Sequence, residues 1–317
     1  MPLPVSIVIV NWNAGPQLAE AITSIVLHHG HLVDTVIIVD NASTDDSLVQ
    51  IEAMHHFPFL LKIIRNHANC GFAKACNQGA QLCISDYLLF LNPDAALYTD
   101  TLPKVLSFMQ DSTNSQIGIC GVQLLDKTGQ PGTAAARFPT LGVLVGKITG
   151  LSLLIPQWIP RHLMHPSELI GNCSVDQIIG AFFLIRNHVF KQCSGFDERF
   201  FVYYEEVDLA IRAKSLGYSS FYLASVNAFH AGGGTTHSVK ALRLFYSLRS
   251  RIFYARKHYK KWEFWTLITL MLSIEFGLRI TKEALKCSIS ALGETLSGYF
   301  MLAKYYCLYK KGANVPR

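Results

Sequence analysis

The 317-residue sequence has few charged residues and lacks the long apolar runs of a multi-span membrane protein. Only 16% of its residues are Asp, Glu, Lys or Arg, and half are hydrophobic. Even so, no stretch reaches the roughly 18 uncharged apolar residues of a spanning helix. The nearest, Phe264 to Ile274, is flanked by Glu263 and Glu275. The length accommodates one large α/β domain with an appendage, or two domains.

Cysteine pairs, targeting signals and nucleotide-binding loops of the common kinds are also missing. The eight cysteines form no Cys-x-x-Cys pair. The N-terminus has no basic region or cleavage site, so Val5 to Val10 is predicted to be a strand and not a signal peptide. We therefore expect a reduced, cytosolic protein without disulfides. Gly71 to Gly79 matches neither a P-loop nor G-x-G-x-x-G, which disfavours a classical ATPase or a dinucleotide dehydrogenase.

Strands and helices alternate through the first hundred residues, and the strands are almost continuously apolar. The predicted strands are Val5 to Val10, Thr35 to Val39, Leu60 to Ile64 and Tyr87 to Leu91. This pattern predicts a parallel, doubly wound sheet, in which ligands bind beyond the carboxyl ends of the strands. Polar residues follow each strand at that edge, namely Asn11, Asp40, Asn66 and Asp94. The sequence therefore predicts a binding site at this rim.

The later part of the chain is less regular. Gln177 to Ile185 is predicted to be one strand with a bend at its glycine, and Leu141 to Ile159 is apolar without a clear assignment. Ser220 to Leu223 and Val226 to His230 are predicted to be two separate strands. Three long helices are predicted after Ser238, at about 238–261, 262–285 and 288–309.

Positive charge is concentrated in that C-terminal part. From Lys240 to Arg317 there are 15 Lys and Arg against 4 Asp and Glu, a net charge of +11. The rest of the chain has 13 Lys and Arg and 18 Asp and Glu, a net charge of −5. The basic residues alternate with aromatic ones, and Trp262 opens an apolar helix. This combination favours an anionic membrane surface as the partner over nucleic acid, which we do not expect to bind. Packing against the rest of the chain is the remaining alternative.

One acidic stretch, Phe201 to Arg212, opens an amphipathic helix after four aromatic residues. It contains three carboxylates, those of Glu205, Glu206 and Asp208. Carboxylates beside apolar rings are partly desolvated, which raises their pKa toward the range of a general base. An acidic first turn that complements the helix dipole explains the same residues. The stretch alone leaves both interpretations open.

Two further residues have side chains suited to a divalent cation. Asp94 ends the motif Asn92-Pro93-Asp94, and a single carboxylate can hold Mg²⁺ or Mn²⁺ when a diphosphate supplies other oxygens. His230 closes an apolar strand, and Mn²⁺ accepts imidazole. An ordinary turn and a structural histidine are the alternatives. Asp40, at its strand end, can accept a hydrogen bond from the N3–H of uracil or thymine.

Seven short motifs follow one another between residues 5 and 236. They are Val-Ile-Val-Asn-Trp-Asn, Val-Asp-Asn-Ala-Ser-Thr-Asp, Asn69-x-Gly71-Phe72-Ala73-x-x-x-Asn77-x-Gly79, Leu-Asn-Pro-Asp, Gly-Ala-Phe-Phe-Leu-Ile-Arg, Gly-Phe-Asp-Glu-x-Phe-Phe and Tyr-Glu-Glu-x-Asp-Leu. In this order they resemble family 2 of the inverting glycosyltransferases, and most of all bacterial rhamnosyltransferases of cell-surface polysaccharide synthesis. The last 80 residues resemble that family only loosely.

The resemblance implies a GT-A fold, an α/β, Rossmann-like and mostly parallel sheet flanked by helices, over residues 1–237. Residues 238–317 are then a helical, membrane-associating region. The resemblance also implies Mg²⁺ or Mn²⁺, a nucleotide-diphosphate sugar donor and a polyprenyl-diphosphate-linked saccharide acceptor. We expect dTDP-rhamnose as the donor, with a UDP-sugar as the alternative, and a peripheral location on the cytoplasmic face of the cell membrane.

The family's site residues transfer to matching positions of this chain. The resemblance makes Asp40 the nucleobase ligand, Asp94 and His230 the metal ligands, and Asn92, where the family has an acid, a sugar or ribose contact. The other implied donor-binding residues are Asn11, Asn41, Asn66, Asn69, Gly71 and Asn77.

The catalytic base of the family matches Glu206, which is one methylene longer than the family's usual Asp. Glu205 is the alternative base, and Asp208 is expected to pair with Arg212 within the helix. In a single displacement the base takes the proton of an acceptor hydroxyl as its oxygen attacks the anomeric carbon.

Two other functions remain open. A nucleotidyltransferase shares such a sheet but should carry a basic, glycine-rich loop after the first strand, and Asn11 to Gly15 has no basic residue. The second alternative is a non-catalytic, membrane-associated partner protein, because Asn92 and Glu206 differ from the residues that the family has at these positions.

Overall fold

The computed structural model describes residues 4–232 and 239–310. Its strands are β1 (Val5–Asn11), β2 (Val33–Asp40), β3 (Leu60–Arg65), β4 (Tyr87–Leu91), β5 (Ala95–Leu97), β6 (Ile117–Leu125), β7 (Ala135–Ala136), β8 (Cys173–Val175), β9 (Gln177–Ile178), β10 (Phe182–Arg186) and β11 (Ser219–His230). Its helices are α1 (Pro16–His29), α2 (Ser47–Glu52), α3 (Phe72–Ala80), α4 (Thr101–Gln110), α5 (Leu141–Thr149), α6 (Leu151–Leu154), α7 (Asn187–Gln192), α8 (Glu205–Ser215), α9 (Lys240–His258), α10 (Lys261–Leu270), α11 (Phe276–Leu285) and α12 (Ile289–Lys310). A π-helical turn, Met271–Glu275, joins α10 to α11.

Strands β1 to β4 of the main sheet are parallel, as the alternation predicted. Its strand order is β3-β2-β1-β4-β10-β6-β11-β5, and β8 pairs with β11 at one side. The pairs β1–β2, β2–β3, β1–β4 and β6–β11 are parallel, whereas β10 runs antiparallel to both β4 and β6. Strands β1 and β4 are buried along their whole length, which explains why they are almost continuously apolar. The mostly parallel α/β fold is confirmed.

Two predictions about individual strands were wrong. The expected single strand Gln177 to Ile185 is divided, because β9 pairs with β7 in a small separate sheet and β10 joins the main sheet. The break falls at Gly180. Conversely, β11 is one twelve-residue strand whose register against β6 shifts between Leu223 and Asn227. Such a shift bends a strand and re-aims its end.

The chain divides into two compact units. The first comprises residues 1–137, 163–198 and 205–235, and the second comprises residues 138–162, 199–204 and 236–317. The boundary predicted after residue 237 lies within 233–238, outside the described residues. The apolar segment that the sequence left unassigned forms α5 and α6 and belongs to the second unit. There Leu144 and Ile148 of α5 pack with Leu248 of α9, Met271 and Leu302.

The predicted C-terminal helices are present, with their apolar side chains divided between a core and the surface. Lys261–Leu285 is long and apolar enough to cross a membrane by length and composition alone, a test that core helices also pass. Leu267 and Met271 are fully buried, while Trp262 and Trp265 are 61% and 58% exposed. This segment therefore has one face in the core of the second unit and another face with exposed tryptophans.

Candidate active site

The carboxyl ends of β1 and β2 bring the first two predicted site residues together. Asn11 and Asp40 are partners in the parallel register, and both are buried. The Asn11 Nδ2 lies 2.8 Å from Asp40 Oδ1, and the Ser43 backbone N–H donates to Asp40 Oδ2 at 3.1 Å. Each oxygen of this carboxylate therefore accepts one hydrogen bond from the protein and keeps a second lone pair for a ligand.

The loop after Asp40 is held by a second carboxylate. Asp45 Oδ2 accepts from the backbone N–H of Gly15 at 2.7 Å, and Asp45 Oδ1 accepts from the Ser47 hydroxyl at 2.6 Å. Burial alone would raise the pKa of Asp45, but these hydrogen bonds lower it below its ordinary value. The charged form of Asp45 thus ties the loop after β1 to the start of α2.

A chain of amides continues this rim past Asp40. Asn66 Nδ2 donates to Asn41 Oδ1 at 2.9 Å, and the side-chain amides of Asn66 and Gln78 bond reciprocally at 2.9 and 3.0 Å. The Asn41 amide reaches the carbonyl of Gly71 at 3.3 Å, and Asn69 Oδ1 accepts from the Gly71 N–H at 3.0 Å. Six predicted donor-binding residues, Asn11, Asp40, Asn41, Asn66, Asn69 and Gly71, therefore lie along one rim of hydrogen-bonded groups.

Asn77, the seventh of these predictions, has its amide engaged by the protein. Its Oδ1 accepts from the Phe196 N–H at 2.9 Å, and its Nδ2 lies 2.9 Å from the Phe196 carbonyl and 3.2 Å from Glu198 Oε1. Gly195, at φ 71°, packs so closely that an added Cβ would lie 2.6 Å from Asn77 Oδ1. Asn77 thus holds the Gly195–Glu198 turn against α3, and its donor contact stays a prediction.

Asp94 and His230 are neighbours because β5 pairs with the end of β11. His230 opposes Ala95 in the antiparallel register, and the Ala231 N–H donates to the Asp94 carbonyl. The His230 Nε2 lies 3.4 Å from Asp94 Oδ1. Asn92 sits just before them in a turn, where its N–H donates to Ala181 and its carbonyl accepts from Ala95. The predicted turn is therefore present, and the metal-binding role of Asp94 and His230 stays a prediction.

The Asp94 and His230 side chains are spaced as two ligands of one divalent cation would be. Ligand atoms at roughly 2.1 Å from an ion, at tetrahedral to octahedral angles, lie about 3.0 to 3.4 Å apart. Among the described residues, no group of three or more His, Cys, Asp and Glu side chains could hold an ion. A cation at this pair would therefore need further ligands, such as the oxygens of a diphosphate.

The two candidate bases differ in exposure. Glu205 is 2% exposed, whereas the neighbouring Glu206 at the start of α8 is only half-buried. Glu206 lies over Gly180, whose N–H donates to it, and a Cβ at Gly180 would fall 2.4 Å from Glu206 Oε1. Burial raises the pKa of Glu206, partly opposed by the N–H donors of Glu206 itself and Gly180. A half-buried carboxylate with a raised pKa has the properties required of a general base.

The third carboxylate serves the helix, as predicted. Asp208 is fully buried and accepts from Arg212 Nε at 2.8 Å, four residues along α8. Arg212 also donates to the carbonyls of Cys193 and of Gly195, the latter at 2.8 Å. Arg212 therefore ties α8 to the turn that Asn77 holds from the other side.

Four contributors to the site were not predicted from the sequence. Ser43 and Ser47 lie 3.0 and 2.8 Å from the Asn11 amide, and Gln78 is the partner of Asn66. Gly180 was predicted only as a bend in a strand. Its place in the Gly-Ala-Phe-Phe motif was the one available signal, since the contact with Glu206 spans 26 positions of sequence.

Comparison with known proteins agrees with the resemblance that the motifs indicated. Residues 6–145 match the family model described as glycosyl transferase family 2. The chain is 28% identical over 285 residues to the N-acetylglucosaminyl-diphospho-decaprenol L-rhamnosyltransferase of Mycobacterium tuberculosis, which covers 82% of this chain and 88% of that protein. It is 26% identical over 146 residues to the rhamnosyltransferase WbbL of Escherichia coli, 46% of this chain and 52% of that protein.

Solved structures extend the similarity to the fold. The mannosyltransferase PcManGT from Pyrobaculum calidifontis, in complex with GDP-Man and Mn²⁺, superposes with a TM-score of 0.57 at 14% identity, over 96% of this chain and 88% of that one. GalNAc-T7 with UDP, GalNAc and Mn²⁺ superposes with a TM-score of 0.56 at 15% identity, over 81% and 50%. Residues 6–145 therefore resemble glycosyl transferase family 2, and the chain has the GT-A fold that its motifs predicted.

Proposed function

We propose that this protein is an inverting rhamnosyltransferase. It transfers rhamnose from dTDP-rhamnose to a hydroxyl of a polyprenyl-diphosphate-linked saccharide in cell-surface polysaccharide synthesis. The proposal rests mainly on Glu206, a half-buried carboxylate whose pKa is raised. Glu206 lies in the same unit as the Asp94–His230 pair and as Asp40 with its neighbouring amides. The names of the relatives support rhamnose and the lipid-linked acceptor.

In this proposal each side chain has one task. Asp40 accepts from the N3–H of the thymine, and the amide rim around Asn66 holds the nucleoside. Asp94 and His230 hold Mg²⁺ or Mn²⁺, which when bound offsets the charge developing on the departing diphosphate. Glu206 takes the proton of the acceptor hydroxyl as that oxygen attacks the anomeric carbon and the bond to the diphosphate breaks.

Glu206 is preferred to Glu205 as the base because a base must reach the acceptor. Glu205 is almost inaccessible, while Glu206 keeps exposed surface and lies over Gly180. The longer side chain of Glu206, compared with the family's Asp, is accommodated there because Gly180 has no Cβ. This explains how a departure from the family pattern is compatible with catalysis.

The second unit has the composition of a membrane-binding element. It contains 18 of the 28 Lys and Arg but only 4 of the 22 Asp and Glu, a net charge of +14, whereas the first unit has a net charge of −8. Exposed apolar side chains accompany this charge, including Trp262, Trp265 and Leu278, and also Leu154 and Trp158 beside α6. Basic residues attract anionic headgroups, and tryptophans favour the bilayer interface. We infer a peripheral location on the cytoplasmic face, where a lipid-linked acceptor is available.

A transfer assay tests the proposed activity. Purified protein is given dTDP-rhamnose, UDP-sugars or GDP-sugars, with Mn²⁺ and a polyprenyl-diphosphate-linked saccharide, and the product is identified by mass and by the anomeric configuration of the new linkage. We expect transfer from dTDP-rhamnose with inversion, and loss of transfer in Asp94→Asn. Release of pyrophosphate from a nucleoside triphosphate and a sugar phosphate would instead indicate a nucleotidyltransferase.

Vesicle sedimentation tests the location. Wild-type protein should pellet with vesicles containing phosphatidylglycerol and much less with pure phosphatidylcholine. The double variant Trp262→Ala and Trp265→Ala should lose most of this binding, while Trp12→Ala, a tryptophan of the first unit, should retain it. Equal pelleting of all three proteins would contradict the membrane assignment.

A further inference from the structure

The six residues that precede Glu205, Arg199 to Tyr204, belong to the second unit and are held there by α9. The Arg199 carbonyl accepts from Arg249 Nη2 at 3.4 Å, and the Val202 carbonyl accepts from the Ser250 hydroxyl at 2.8 Å. The ring of Phe201 stacks on Tyr246 with centroids 4.3 Å apart and planes 8° apart. Three successive contacts from α9 thus fix the segment 199–204, which the sequence showed only as an unusual run of aromatics.

The segment ends in an uncommon backbone conformation. Tyr203 and Tyr204 have φ values of 70° and 72°, in the left-handed region that residues other than glycine rarely adopt. Two such residues in succession persist only where surrounding contacts over-determine them, and they concentrate at functional sites. The next residue, one peptide bond away, is Glu205, where α8 begins.

A buried ionic group holds Tyr204. Its phenol is hydrogen-bonded to Arg251, a side chain only 2% exposed, and its ring lies 5.2 Å from that of Tyr254. Arg251 Nη1 in turn lies 2.5 Å from Glu275 Oε2, and Arg279 Nη2 lies 2.8 Å from Glu275 Oε1. Glu275 is the last residue of the π-helical turn, and such turns within α-helices are frequent at functional sites.

We propose that Tyr204, Arg251 and Glu275 are positioning residues that set the backbone from which Glu205 and Glu206 project. The inference rests on the proposed function of Glu206 as the base. The anchor acts through the chain itself, because the strained residues Tyr203 and Tyr204 are joined directly to Glu205. The C-terminal helices then have a part in catalysis besides any part in membrane binding.

The variant that tests this most gently is Tyr204→Phe, which removes only the hydroxyl that bonds to Arg251. Its matched control is Tyr87→Phe, a buried tyrosine of the first unit whose hydroxyl likewise bonds to an arginine, accepting from Arg186 Nη1 at 3.2 Å. We expect kcat of Tyr204→Phe to fall about tenfold or more, because misplacement of a reacting group by about 1 Å can cost a hundredfold. The KM for the donor should stay within about twofold, since donor binding precedes the proton transfer. The control should match wild type in both.

Hydrogen exchange gives a second readout that does not require activity. The amides of the first turn of α8 should exchange faster in Tyr204→Phe than in wild type, and at the wild-type rate in Tyr87→Phe. If Tyr204→Phe does not fold, Ser250→Ala, which removes the bond to the Val202 carbonyl, is measured against the same control. Unchanged kcat and unchanged exchange, or equal changes in variant and control, would overturn the proposal. If the wild-type protein is inactive with every donor, the proposed function is refuted. The hydrogen-exchange comparison would still test the positioning role of Tyr204, because it does not require activity.

Discussion

Replacing Gly180 with alanine should separate catalysis from folding. The added Cβ would lie 2.4 Å from Glu206 Oε1 and 3.3 Å from its Cδ, closer than carbon and oxygen atoms approach without a bond. Gly180 is not among the positive-φ glycines, so alanine adopts its backbone conformation without strain. The new methyl group therefore conflicts with one carboxylate and with nothing in the local backbone.

The sizes of the expected losses of stability and of kcat depend on which atoms can move away from the new methyl group. The conflicting atoms are the far end of a flexible side chain, so Glu206 can swing aside, and the cost in the free energy of unfolding should stay near about 1 kcal/mol, the low end for an overpacked site. Relieving the contact requires the carboxylate to shift by about 1 Å, and a shift of that size can reduce kcat about a hundredfold. We therefore expect kcat to fall by ten- to a hundredfold, roughly, with little loss of stability.

The assay compares Gly180→Ala with Gly132→Ala. An added Cβ at Gly132 would lie 3.6 Å from the Leu124 carbonyl, an ordinary contact, in the same unit. Steady-state transfer gives kcat, urea denaturation gives the free energy of unfolding, and a thermal shift with dTDP reports donor binding. Wild-type kcat in Gly180→Ala would refute the placement of Glu206 over Gly180 as a catalytic arrangement. A collapse of stability would refute the inference that only a mobile side chain is displaced.

Three more predictions concern Glu206, Asp208 and Asp94. Burial raises the pKa of Glu206, which must be ionised to act as the base. We therefore expect kcat/KM to fall with decreasing pH, with a midpoint above the pKa of roughly 4.3 of a free glutamate. A midpoint at or below that pKa would be inconsistent with Glu206 as the base. Asp208→Asn should lower the free energy of unfolding by about 2 kcal/mol in urea denaturation, because Arg212 loses a charged acceptor, and a change near zero would count against that ion pair. Asp94→Asn should raise the Mn²⁺ dissociation constant, measured calorimetrically with dTDP present, at least about tenfold, whereas Asp100→Asn should leave it unchanged.

Much of the first hundred residues was predictable because short-range patterns determine it. Apolar strands joined by helices specify parallel neighbours, and parallel strands bring their carboxyl ends to one edge. Asn11, Asp40 and Asn66 were therefore expected at one rim, and the register and hydrogen bonds show them there. The pairing of Asp208 with Arg212 was predictable for a similar reason, since it depends only on helical periodicity.

Contacts between distant segments were not predictable from local pattern. The three-residue strand β5 pairs with the end of β11, and only this pairing brings His230 beside Asp94 across more than a hundred residues. The break at Gly180 replaces one expected strand by two, and the Glu206 carboxylate that lies against this glycine comes 26 residues later in the chain. The packing of 138–162 with the C-terminal helices likewise needs tertiary contacts that hydropathy does not contain.

The most direct test of the account is the transfer rate of Glu206→Gln beside that of Glu205→Gln. Both substitutions preserve size and remove one carboxylate, and a thermal shift with dTDP-rhamnose shows whether each variant still binds the donor. We expect Glu206→Gln to bind the donor normally but to lose kcat by about a hundredfold or more, as for the loss of a general base. We expect Glu205→Gln to retain measurable transfer. Full activity in Glu206→Gln would contradict the central claim, and inactivity confined to Glu205→Gln would assign the base to the neighbouring residue.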